Sequence, residues 1–242
     1  MLSDRICRAA RTAAIACSFV FIFAIVALAD DRRQNAPGEF DFYVLALSWS
    51  PTFCESSKER APNRADPQCN GRPFAFIVHG LWPQYEQGFP SYCQVPAQKL
   101  DRATVGSALD LMPSPRLIFR EWDRHGTCSG LTPQAYFEAV RKARSVVKIP
   151  SDYLAPAEPL SVSPDDVAAA FVKANPGLPR TALAVACDAS RLTEVRVCMT
   201  KDLAKDFTFH DCADVASHAC KRDKIAMPAV HAELNGNNLG MK

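Results

Sequence analysis

Two histidines and a glutamate have the residue types and the spacing to move protons. Glu121 and His125 stand four residues apart in REWDRHGTC, residues 120–128. On a helix that spacing puts both side chains on one face. His79 lies in FIVHGLWP, residues 76–83. There a titratable group closes an otherwise apolar strand beside a glycine and a tryptophan, which suits the edge of a cleft. The ordinary imidazole pKa is about 6.5, so one of two such rings can be neutral and accept a proton while the other is charged and donates one. Each segment alone has a plainer reading, as an exposed helix pair or as a core histidine with one hydrogen bond. The two together predict paired general acid–base chemistry.

The surrounding sequence supplies elements to position these groups. FDFYVLALSW, residues 40–49, is rich in β-formers and apolar on both faces, and predicts a buried strand ended by Pro51. The charged, proline-containing run between Cys54 and Cys69 reads as a loop. FAFIVHGLWP, residues 74–83, predicts a second buried strand, stopped by Gly80 and Pro83. Helical periodicity follows over 101–112. A helix opening at Pro115 carries Leu117, Ile118, Trp122 and His125, and Gly126 is expected to end it. Thr132-Pro133 and Ser163-Pro164 are cap-and-proline starts of two further helices, the second closed by Asn175-Pro176-Gly177. TALAVAC and EVRVCMT predict a hairpin-like pair of strands, and KIAMPAV a last short one. The mix predicts an α+β fold, an antiparallel sheet with helices packed on it.

The N-terminus reads as an export leader over residues 1–29. Arg5, Arg8 and Arg11 precede an apolar run that ends in Ala27-Leu28-Ala29, with cleavage expected near Ala29. The competing reading is an uncleaved anchor, though the run is near the lower length limit for crossing a bilayer. Residues 30–39 read as a loose lead-in, 40–234 as one domain and 235–242 as a frayed tail. Cleavage would remove three arginines and Asp4, leaving as many basic as acidic residues. That balance argues against a protein that coats nucleic acid through bulk charge. It leaves room for an enzyme that grips a few nucleotides through a local positive site. Eight cysteines remain beyond the leader: Cys54, Cys69, Cys93, Cys128, Cys187, Cys198, Cys212 and Cys220. An even set behind an export signal predicts disulfides, with many pairings open. The protein is expected in the periplasm or outside the cell, as a monomer without stable membrane association.

Paired imidazoles fit one substrate well. RNA carries its own nucleophile, the 2′-hydroxyl, beside the scissile phosphodiester. The protein need only take that proton and give one to the leaving 5′-oxygen. Fixed cations stabilise the charge that builds on the phosphate, and Arg120 and Arg124, on either side of Glu121, are candidates. No metal or cofactor is required for such a step.

FIVHGLWPQ and REWDRHGTC resemble the two active-site segments of the ribonuclease T2 family, and FYVLALSWSPTFC resembles that family's first core strand. The resemblance runs from about Phe40 to the C-terminal cysteines. It implies an α+β, disulfide-bonded fold and metal-independent cleavage of single-stranded RNA through 2′,3′-cyclic phosphate ends. By position it implies His79 as general acid, His125 as general base and Glu121 as the glutamate that holds the phosphate or an imidazole. Trp82 would stack on a base, with Tyr85 or Tyr92 completing that pocket. The implied disulfides are Cys54–Cys69, Cys93–Cys128, Cys187–Cys220 and Cys198–Cys212. The chain departs from the pattern at Arg120, where many members have histidine, and at Arg124, where they have lysine. Arginine keeps the charge but not the titration near neutrality. Gln84 replaces an acid that contacts the base in some members, so base preference does not transfer.

Two other functions compete. His210, Cys212, His218 and Cys220 form two His-x-Cys pairs that could hold zinc by ligand type. A non-catalytic exported RNA-binding module is the second.

Overall fold

The computed structural model describes residues 35–63, 66–202 and 207–230. The leader over 1–29, half of the lead-in (30–34) and the tail over 235–242 lie outside the described residues. Strand β1 (Phe42–Trp49) is the centre of the fold and is buried on both faces. It pairs antiparallel with β2 (Phe76–Gln84) on one side and β5 (Leu192–Thr200) on the other, and β4 (Leu183–Cys187) lies beyond β5. The result is a four-stranded antiparallel sheet ordered β2-β1-β5-β4. A separate two-stranded sheet joins β3 (Leu160–Val162), which the sequence reading missed, to β6 (Ile225–Met227).

One face of the sheet holds the main core. Tyr43, Leu45, Leu47 and Trp49 of β1 meet Trp122, Tyr136, Val140 and Phe171 from α3 (Pro115–Arg124), α4 (Pro133–Val146) and α5 (Pro164–Ala174). The helix starts follow from local chemistry. Thr132 accepts a hydrogen bond from the Ala135 N–H, and Ser163 and Asp166 form a reciprocal capping box. All three helices carry proline in the first turn, where a missing N–H costs nothing. A shorter helix, α2 (Arg102–Ala108), is capped by Asp101.

The opposite face is only partly covered. Phe42, Val44, Ala184 and Cys198 pack there under Cys212 and Val215, at the short helix α6 (Ala213–Ser217). Four disulfides join Cys54–Cys69, Cys93–Cys128, Cys187–Cys220 and Cys198–Cys212. The last two fasten the α6 segment to β4 and β5.

Two readings from sequence need correction. The stretch after Pro51 begins as a helix, α1 (Ser50–Arg60), rather than a loop. Its proline sits in the first turn and Lys58 and Arg60 in the last, where cations suit the helix dipole. It has no apolar stripe, so periodicity did not reveal it. Strand β2 is not stopped at Gly80 or Pro83; it runs to Gln84. It is an edge strand, where proline is tolerated because no ladder donor is needed on the outer side. Helix α3 ends where expected, just before Gly126. His125 is the C-cap, and the chain tightens into a 3-10 turn over Gly126–Ser129, with the left-handed residue at Gly130. A side chain on Gly126 would collide with the Trp122 ring.

Candidate active site

A cleft of about 580 Å³ opens on the thinly covered face of the sheet, lined by His79, Trp82, Glu121, Arg120, Arg124 and His125 among others. Small residues of β1 lie between its walls. Along β1, alternation puts Val44, Ala46 and Ser48 on this face. Ala46 lies between Gly80 and Arg196, and Ser48 beside Glu194, in the ladder. Side chains from β2 and β5 can therefore lean toward each other across the middle strand.

An irregularity in β2 delivers His79. The pairing passes from Ala46↔Gly80 to Leu47↔Val78, leaving His79 as the extra residue of a bulge. In a regular strand His79 and Trp82 would point to opposite faces. The bulge shifts the alternation, so that both line the cleft while Val78 and Leu81 enter the core. His79 is thus within a strand rather than at its end. On the other wall, α3 buries Ile118 and Trp122 and turns Glu121 inward. The Cys93–Cys128 bond, the Tyr92 N–H donating to Arg124 O (2.9 Å) and the Cys93 N–H donating to Thr127 Oγ1 (3.2 Å) fold the loop after β2 against the end of α3.

His79 sits between two carboxylates. Its Nδ1 bonds Glu194 Oε1, and its Nε2 lies 3.4 Å from Glu121 Oε1. Glu194 Oε2 accepts from Nε and Nη2 of Arg196, both at 3.0 Å. Glu121 Oε2 accepts from the Trp82 indole N–H at 2.8 Å. Gly80 makes that bond possible: a Cβ there would overlap the indole nitrogen and come within 2.5 Å of Glu121 Oε2. Burial pushes the His79 pKa down, but hydrogen bonds and charge from Glu121 and Glu194 outweigh it and raise the value to about 10. His79 keeps 32% of its side-chain surface open to solvent, so the two carboxylates matter more here than burial does. Burial works to raise both carboxyls, yet His79 holds them below the ordinary carboxylate range, with help from His125 and Trp82 for Glu121 and from Arg196 for Glu194.

His125 has different neighbours. Its ring stacks on Trp82, with centroids 5.2 Å apart and planes 28° from parallel, and Phe89 is 6.2 Å away. Its Nδ1 is buried without a hydrogen-bond partner. Burial lowers its pKa to about 4; Glu121 opposes that, while Arg124, His79 and Arg120 add to it. The His79 ring meets the same Trp82 edge-on at 5.4 Å. Both imidazoles thus touch one indole, and they are no further apart than those two separations laid end to end.

The cleft brings together His79, Trp82, Glu121, His125, Arg120 and Arg124. It does not include Tyr85 or Tyr92. Tyr85 is buried in the main core and its hydroxyl accepts from the Asn35 N–H at 3.2 Å, so its expected base-pocket role is corrected. Tyr92 is 54% exposed and does not line the cleft. The aromatic on the rim is Phe89, 49% exposed, with the Arg124 guanidinium 5.8 Å from its ring centre. Glu194 and Arg196 escaped the sequence reading as well. Their signal was faint: two charges on one face of the apolar strand LTEVRVCMT. The zinc alternative loses its thiolates, because Cys212 and Cys220 are bonded to Cys198 and Cys187. Among the described residues, no group of three or more His, Cys, Asp or Glu is arranged to hold a metal.

Residues 40–212 match the Ribonuclease T2 family. The chain is similar to a curated ribonuclease of Aeromonas hydrophila, 42% identical over 113 residues, an overlap covering 47% of this chain and 49% of that one. The match therefore spans about half the length of that relative. Among solved structures it is similar to an RNase-related protein from Calystegia sepium, with TM-score 0.58 and 22% identity over 79% of this chain and 98% of the other. It is also similar to RNase NT in complex with 5′-AMP, with TM-score 0.56 and 22% identity over 78% and 98% of the two chains. At such identities the structural likeness is one of fold.

Proposed function

The chain belongs to the ribonuclease T2 family, and on that premise we propose that it is an exported, metal-independent endoribonuclease acting on single-stranded RNA. His125, neutral at neutral pH, takes the proton of the 2′-hydroxyl. The freed 2′-oxygen bonds to phosphorus and the P–O5′ bond breaks. His79, cationic, gives its Nε2 proton to the departing O5′. The products are a 2′,3′-cyclic phosphate and a 5′-hydroxyl end, and water hydrolyses the cyclic ester with the two roles reversed. Arg124 and Arg120 neutralise charge on the phosphate oxygens. Glu121 balances the two rings, and Trp82 holds Glu121 in place. Phe89 takes a base by stacking, with Arg124 beside it for the adjoining phosphate.

The observation that carries this reading is the pair of imidazoles on one indole, their pKa values driven in opposite directions. Acid and base are then each in the working protonation state before substrate arrives. Four disulfides suit the oxidising compartment expected of an exported protein, where it works as a monomer.

The test is to incubate the purified protein with mixed-sequence single-stranded RNA in EDTA and sequence the product ends. Cyclic phosphate and 5′-hydroxyl ends are expected. Cleavage abolished by EDTA would contradict the proposed mechanism, and binding without cleavage would favour an RNA-binding module.

A further inference from the structure

His79 has a carboxylate at each ring nitrogen, and the two are not equivalent. Glu121 lies in the cleft, stands off from Nε2 at 3.4 Å and is shared with the Trp82 indole. Glu194, which lines the same cleft, is in close contact with Nδ1 and braced through its other oxygen by two bonds from Arg196. We infer that Glu194, braced by Arg196, is the positioning carboxylate of His79: it fixes the ring through Nδ1 and leaves Nε2 as the nitrogen that transfers the proton. This rests on the proton-transfer role proposed above for His79.

The placement favours that role over simple stability. A buried ion pair in a sheet is often no better for stability than apolar residues of similar size. Val195 and Val197 point into the core, whereas Glu194 and Arg196 face the cleft, across the small side chains of Ala46 and Ser48. Without a partner at Nδ1, an imidazole on a strand bulge can rotate about its side-chain bonds and present either nitrogen. A hydrogen bond at one nitrogen settles which one carries the fixed proton. Arg196 limits the motion of Glu194 in turn, and its guanidinium also lies 5.4 Å from the Trp82 ring centre. The charged groups that set the titration of His79 are Glu194 from β5 and Glu121 from α3; Arg196, which braces Glu194, His125 at the end of α3, and Arg120 and Arg124 line the same cleft.

The experiment uses the full chain with ¹⁵N-labelled histidine, and Glu194→Gln as a variant of nearly equal volume. Long-range ¹H–¹⁵N spectra of His79 are followed across pH, and kcat and KM are measured on mixed-sequence single-stranded RNA. In the unaltered protein we expect a far-downfield Nδ1–H resonance that persists at neutral pH. In Glu194→Gln the resonance should be lost and the His79 midpoint should fall. The alkaline limb of kcat should move to lower pH, and kcat should drop at least about tenfold with KM little changed, since orientation of an acid–base imidazole acts on turnover. Arg196→Lys should retain more activity than Arg196→Ala. If His79 titrates in Glu194→Gln as it does in the parent, with kcat unchanged, the assignment is overturned. Should Glu194→Gln not fold, the parent spectrum decides: an Nδ1 without a bound proton overturns the assignment. If the parent cuts no RNA and yet Glu194→Gln moves the His79 midpoint, the ribonuclease reading falls and the positioning of His79 stands.

Discussion

His79 and His125 face the same cleft from unlike surroundings. His79 rises from a bulge on an edge strand into a cage of two carboxylates. His125 caps a helix, stacked on an indole and flanked by arginines, with one nitrogen buried and unpartnered. Similar rings are thereby driven apart, one toward the cation and the other toward the neutral form. Residue type makes both histidines available for acid or base work. The neighbours supplied by β5 and α3 drive their titrations apart.

Removing either member should have the largest effect. His79→Ala and His125→Ala should each lower kcat/KM on RNA at least about a hundredfold, the low end of general acid–base contributions. Near-parental activity in either variant would break the comparison at its root. Gly80→Ala attacks the shared support. The added methyl group meets Trp82 Nε1 and Glu121 Oε2, so activity should fall about tenfold or more, with a stability loss of about 1–3 kcal/mol by thermal melting, as for other overpacked sites. Phe89→Ala, which touches neither carboxylate, should leave the histidine titrations in place and weaken RNA binding by about 1–3 kcal/mol, read as KM.

The two rings should also pull pH-dependent stability in opposite directions. For His79 the folded pKa exceeds the unfolded one, so its contribution is complete below about pH 6.5 and is lost as pH rises toward about 10. For His125 the folded value is the lower, so its contribution is complete above about pH 6.5 and is lost as pH falls toward about 4. Denaturant titrations across pH should show the alkaline slope removed in His79→Ala and part of the acidic slope removed in His125→Ala. Tyr85→Phe should change least, with turnover kept and stability reduced by about 0.5–1.5 kcal/mol for one lost hydrogen bond.

Much of the site was legible in the sequence because it is carried by short contiguous segments. Glu121 and His125 share a helix turn, and His79 and Trp82 share a strand. The strand–helix alternation and the cap-and-proline starts at Thr132 and Ser163 showed the elements for the same reason. What was hidden depends on register between distant strands. Nothing local says that His79 is an extra residue in the ladder, or that Glu194 comes beside it across Ser48. Tyr85 misled because a tyrosine next to a cleft segment can turn inward as easily as outward. Phe89, four residues on, is the one that reaches the rim. Helix α1 was hidden for a different reason: it packs too few apolar residues to show a period.

The most direct test of the central claim is a site-resolved NMR titration of both histidines in the ligand-free protein. At pH 7 the account predicts His79 protonated on both nitrogens and His125 neutral, with midpoints well to either side of neutrality. Two rings titrating together near pH 6.5 would contradict it.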